Sequence, residues 1–164
     1  MRQLVWVTLL ALTSGCGYEH GFGARDRLGI RSVSVSTVEN LTFRQGIDRL
    51  LTRQIARDLA QFTGLVPGAP DAADARLEVT LRDVQGRSIT EQSGGESTEA
   101  AVLLDADVRL IDRRTGRVLY AQRHHDWAEY RSAVGETRSQ AIVESVADLS
   151  RRILTAIDDG GLSK

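Results

Sequence analysis

The sequence predicts an α+β fold: a two-layer sandwich in which a four-stranded, mostly antiparallel sheet carries two helices on one face, in the order β-α-β-β-β-α. Three observations predict it. Alternating apolar and polar residues recur at 30–38, 77–82, 102–110 and 117–127, the period of half-buried strands. Two other stretches, after Thr42 and after Thr137, carry apolar residues at helical spacing. Two one-sided helices and a one-sided sheet bury their apolar faces most simply by sharing a single layer, which leaves the other sheet face to water.

In chain order, Arg2 gives a positive start, Leu4 to Thr13 an apolar run, and Ser14-Gly15 a small pair before Cys16, the single cysteine. The run is too short to cross a bilayer, which takes roughly 20 apolar residues, and it has the three-part build of a cleaved export signal over residues 1–15. A cysteine directly after the small pair is where a bacterial lipoprotein carries its lipid. The thiol is the nucleophile to which a diacylglycerol is attached, with fatty acids such as palmitate on the finished anchor. An ordinary signal peptide with an incidental thiol is the alternative. With Gly17 rather than an aspartate after Cys16, the resemblance to enterobacterial sorting signals favours the outer membrane, so the expected location is lipid-anchored at the outer membrane and facing the periplasm.

From residue 16 to Gly29 the chain is glycine-rich, charged and aperiodic, and is expected to be a flexible tether ahead of one domain over residues 30–160. With its one cysteine consumed by lipid, that domain has no disulfide and must hold by packing. The chain has 164 residues and a formal net charge of −1. There is no bulk attraction to nucleic acid, so anion binding must come from local clusters. Every basic residue except Lys164 is arginine; GC-rich coding and a use for bidentate phosphate contacts both account for it.

The first strand alternates Val33, Val35 and Thr37 against Ser32, Ser34 and Ser36. Thr42 and Gln45 stand at capping-box spacing, and Ile47, Leu50, Leu51, Ile55, Leu59 and Phe62 form the stripe of the first helix, stopped by Gly64 and the prolines beyond it. Leu77, Val79 and Leu81 mark the second strand, and the polar Asp83–Ser97 segment a ragged hairpin tip. Val102, Leu104, Ala106, Val108 and Leu110 are the clearest strand face. With a loop at residues 113–116, Leu110 falls opposite Leu119, Val108 opposite Ala121 and Asp105 opposite His124. Thr137 and Gln140 repeat the capping-box spacing before Ile142, Val146, Leu149, Ile153 and Ile157, with Gly160-Gly161 as the stop.

No nucleophile elbow, phosphate-cradling glycine loop or zinc spacing occurs, and no enzymatic activity, cofactor or metal is expected. Asp105 and Asp107 share a strand face, but Arg109 beside them and His124 opposite account for them as surface ion pairs. His124 and His125 point to opposite faces and cannot ligate one metal from a regular strand. Topology brings the end of the second strand, the loop after the fourth and the start of the last helix to one edge. Arg87, Arg131 and Arg138 would gather there near free helix amides, a candidate anion site; three separately solvated arginines are the alternative.

Taken together, Gly15-Cys16-Gly17-Tyr18, a strand leading into Val38-Glu39-Asn40-Leu41-Thr42, and Gly46-Ile47 opening an amphipathic helix resemble the lipopolysaccharide-assembly lipoproteins of the LptE type, over nearly the whole mature chain in element order. The resemblance implies a periplasm-facing partner and plug of an LptD-type outer-membrane β-barrel, which contacts lipopolysaccharide on its way to the surface. The arginine edge would then meet lipopolysaccharide phosphates or the barrel. A lipoprotein regulator of peptidoglycan synthesis, or a secretion-associated lipoprotein, anchored in the same way, is the alternative function.

Overall fold

A computed structural model describes residues 23–91 and 97–160, with side chains described for 23–89 and 99–160. The export signal, Cys16 and the start of the tether lie outside the described residues. The elements are α1 (Gly23–Leu28), β1 (Ser32–Val35), β2 (Glu39–Asn40), α2 (Ile47–Thr63), β3 (Val66–Pro67), β4 (Ala75–Glu91), β5 (Ser97–Asp112), β6 (Val118–Arg131), a 3-10 turn (Ser132–Val134) and α3 (Arg138–Asp159).

The α+β class and the shared helix layer agree with the sequence, but the sheet is larger than four strands. Six strands take part, in the order β3-β1-β4-β5-β6, with β2 paired to β4 beyond the end of β1. β1 runs parallel to β4, whereas β4-β5 and β5-β6 are antiparallel. The additional strands β2 and β3 are two residues each, too short to leave a periodic trace. Each continues a ladder that a longer strand has already set.

The core lies between the sheet and the helices. Val102, Leu104, Ala106, Val108 and Leu110 from β5 and Leu77, Val79 and Leu81 from β4 meet Leu51, Ile55 and Leu59 of α2 and Val146, Leu149, Ile153 and Ile157 of α3, all of them buried. Each of these larger side chains contributes about 1.5–3 kcal/mol when withdrawn from water. α3 presents the small, buried Ser150 to α2. Ser150 donates a 2.9 Å bond to Asp58 of α2.

Three local expectations are corrected. The tether ends sooner than expected, because Gly23–Leu28 is a helix. Arg27 donates to the carbonyls of Ile157 and Asp158, and the Ala24 amide donates to Asp158 Oδ1 at 2.8 Å. The unpaired carbonyls at the C-terminus of α3 thus hold α1 in place. The ragged tip is also much shorter, since β4 continues to Glu91 and β5 begins at Ser97. A long ladder absorbs the polar residues, with irregularities at Leu81/Asp83, Ser88/Thr90 and Thr90/Glu91. Last, the β5-β6 register is displaced by one: Leu110 lies opposite Tyr120, Val108 opposite Gln122 and Asp105 opposite His125. An irregularity between Leu110 and Ile111 adds one residue to the β5-β6 count just above the turn.

Candidate functional site

The edge at which both long helices begin is built by the parallel pairing of β1 with β4. β4 and β6 end there, α3 follows the turn after β6, and α2 starts at the same edge because β1 points towards it. At the start of α3 the expected capping box is formed: Thr137 Oγ1 accepts from the Gln140 amide at 3.3 Å, and Gln140 Oε1 accepts from the Thr137 amide at 2.8 Å. That reciprocal pair fixes the helix start, and with it the direction of Arg138.

The sheet divides the three arginines of this edge. Arg138 reaches over the inner face of β4 to Gly86, where a Cβ would stand 2.5 Å from its Nη2. A larger residue at this point would have to push the Arg138 guanidinium aside. The Arg138 Nε is buried and has no hydrogen-bond partner among the described residues. Arg87, one residue on, therefore faces the opposite side of the sheet, opposite Ala101 of β5. Arg131 is exposed; its amide donates to Glu136 Oε2 at 2.6 Å, and its Nε lies 3.9 Å from the same oxygen. Arg87 and Arg131 flank β5 on the outer side, and Arg138 is separated from them by the sheet.

Between Arg87 and Glu129 on the outer face lies a shallow depression of about 360 Å³, lined by Ile89, Ala101, Leu103 and Trp127. Leu103 and Trp127 are direct cross-strand partners, and Trp127 is 60 % exposed. Further along the same face, charges neutralise one another. Arg82 Nε lies 2.6 Å from Asp107 Oδ2, and Arg123 grips Asp105 with two bonds, one of 2.7 Å from Nε to Oδ1. Asp105 and Asp107 are thus ion-paired, as anticipated, though with Arg123 and Arg82 rather than Arg109 and His124. The apolar platform was overlooked because Leu103 and Trp127 sit in different segments; only the register makes them one surface.

A second polar group lies on the inner face. His124 and Asp126 of β6 are buried against α3. The His124 Nε2 shares a 2.7 Å bond with the Tyr120 hydroxyl, which also bonds Gln122 Oε1 at 2.8 Å. Asp126 Oδ1 accepts from Arg152 Nη2 at 2.8 Å, while its Oδ2 is buried without a partner among the described residues. Desolvation holds the Asp126 carboxyl above its usual range despite Arg152, and desolvation together with Arg152 and His125 holds the His124 imidazole below its usual range. Burial also pushes the Tyr120 hydroxyl up to about 12. Among the described residues no cluster of His, Cys, Asp or Glu could hold a metal ion, and no helix is long and apolar enough to cross a membrane.

The profile of the lipopolysaccharide-assembly family LptE matches residues 30–157, from the start of the first strand to the end of the last helix. The chain belongs to the LptE family. Solved structures agree in fold. The hypothetical protein CT253 of Chlamydia trachomatis superposes with a TM-score of 0.61 at 12% identity, over 82% of this chain and 99% of its own. The uncharacterized lipoprotein B of Nitrosomonas europaea gives 0.55 at 13% identity, over 81% and 87%. A minor lipoprotein of Acinetobacter baumannii gives 0.52 at 14% identity, over 80% and 92%. A search of curated protein sequences finds no match. Family membership carries a role in lipopolysaccharide assembly.

Proposed function

We propose that this LptE-family protein is an outer-membrane lipoprotein, anchored through an acylated Cys16 and facing the periplasm, that partners and plugs an LptD-type β-barrel and assists lipopolysaccharide transport and insertion. The family match over residues 30–157 carries this reading. It works by binding, without catalysis and without a cofactor beyond its own lipid. α1, which follows the lipidated segment, packs at the C-terminus of α3, so the anchor enters at one end and the arginine edge projects at the other. Arg87 borders the Trp127–Leu103 platform opposite Glu129, and Arg131 lies beyond Glu129 on the same outer face, so a phosphate beside an apolar or sugar surface would be met by Arg87 first. Arg138 supports this edge from the inner side of the sheet.

Affinity isolation of the full chain from solubilised membranes tests the partner. Co-purification of an outer-membrane β-barrel is the expected result, whereas a penicillin-binding protein in its place would redirect the function to cell-wall synthesis. For the arginines, Arg87→Glu combined with Arg131→Glu is expected to weaken lipopolysaccharide binding with an unchanged melting temperature. Unchanged binding would remove this edge from the proposal.

A further inference from the structure

On the side of the helix layer turned away from the sheet, α2 and α3 leave a groove of about 570 Å³ along their seam. Leu50, Val143 and Val146 give it an apolar lining, and Arg53 and Arg57 form its α2 rim. A neighbouring depression lined by Phe43, Ile47 and Ile142 extends it towards the helix N-termini. Phe43 is wholly exposed and Val143 is 58% exposed, so this seam presents apolar surface that the fold does not cover.

The charges around the seam are one-sided. Arg49, Arg53 and Arg57 recur every fourth residue and form a row along α2. Among the described residues none of them, nor Arg44, forms an ion pair. Asp58, next to Arg57, is engaged instead by Gln54 and Ser150, each at 2.9 Å. The chain as a whole has a net charge of −1, so this row is a local feature and not general basicity. On the α3 side the exposed Glu144 is of opposite sign.

The shape selects a linear occupant. A flat bilayer surface would meet only the exposed Phe43 and Val143, whereas the apolar stripe of a third helix also reaches Leu50 within the cleft. From Ile47 to Arg57 the seam runs about 15 Å at 1.5 Å per helical residue, close to three turns. Carboxylates on successive turns of an occupant would repeat at the spacing of the arginine row. We propose that the α2–α3 seam docks an acidic amphipathic helix of a partner polypeptide, with its apolar stripe on Leu50, Val143 and Val146 and its carboxylates towards Arg49, Arg53 and Arg57. Because Arg53 and Arg57 line the α2 side of the groove, the occupant's acidic flank is turned towards α2. The proposal stands apart from the lipopolysaccharide reading, which uses the outer face of the sheet rather than the helix layer.

A photo-crosslinking amino acid at Val143 of the full chain, in the cells that make it, tests the proposal. The expected product is a polypeptide adduct whose crosslinked peptide, sequenced by mass spectrometry, carries Asp or Glu at i, i+4 spacing. Arg53→Glu with Arg57→Glu should lower the yield at least tenfold without changing the melting temperature, and exchanging the partner's acids for lysine should restore it. An adduct to lipid, to a neutral or basic segment, a yield indifferent to charge reversal, or no adduct would each overturn it. Barrel co-purification in the same cells reports separately on the proposed transport function.

Discussion

Asp74 joins two strands with a single oxygen: its Oδ2 accepts the amides of Arg31 and Ser32, each at 2.9 Å, and the Ser32 hydroxyl at 3.0 Å. These bonds, the backbone ones first, hold its carboxyl below the ordinary range. The stability it contributes is therefore present above pH 3.8 and lost as pH falls through its folded value. Asp74→Ala should cost about 1 kcal/mol in urea unfolding at neutral pH, water replacing part of the lost bonds. His124 acts over a different window. With its folded value below 6.5, the unfolded chain takes up a proton before the folded one, so stability should fall as pH drops below about 6.5. Asp126 has the opposite sign: its raised value adds stability that is full below pH 3.8 and lost as pH rises through the folded value. The contribution of His124 to the unfolding free energy should therefore decline between pH 7 and pH 5, and the difference between the native protein and His124→Gln over that range should show it.

At the scale of elements, the two helix starts separate two sequence patterns that look alike. Thr137 forms its capping box, whereas Thr42 does not: α2 begins after Gly46, at φ +87°, with no side-chain cap. Thr42 Oγ1 instead donates to Asn40 Oδ1 at 2.7 Å and accepts the Arg44 amide at 3.2 Å, closing a turn before the helix. Thr137→Ala is expected to cost about 1 kcal/mol, and Thr42→Ala less, as compared by thermal unfolding. Gly46 occupies a left-handed position that a Thr-x-x-Gln count cannot reveal. Both helix ends were legible, because Gly64 and Gly160 stop α2 and α3 in the left-handed conformation (φ +64° and +79°) that glycine adopts without cost. The strand ends beyond residue 83 were not. Gly86 suggests a turn until Arg138, 52 positions away, is found against it.

For the whole molecule, the proposed anchor is tested at Cys16. Radiolabelled fatty acid should enter the native protein and not Cys16→Ala, and the variant should leave the membrane fraction while its fold, held by the core between sheet and helices, is unchanged. The core itself is sensitive to volume. Leu149→Ala, at a fully buried site between α3 and the sheet, should destabilise by about 2–5 kcal/mol in chemical denaturation.

The sequence by itself determined the α+β class, the apolar face of each long element, the two glycine stops and the single edge shared by the helix starts, because these depend on period and on local backbone preference. The resemblance carried by Val38-Glu39-Asn40 and Gly46-Ile47 pointed to the family that the chain proved to join. Only the tertiary structure decided the β5-β6 register, the division of Arg87 from Arg138, the Leu103–Trp127 platform and the docking of α1 on α3. Each of these depends on which residues meet across long separations, and a one-residue irregularity at Leu110/Ile111 is enough to change every partner along a strand.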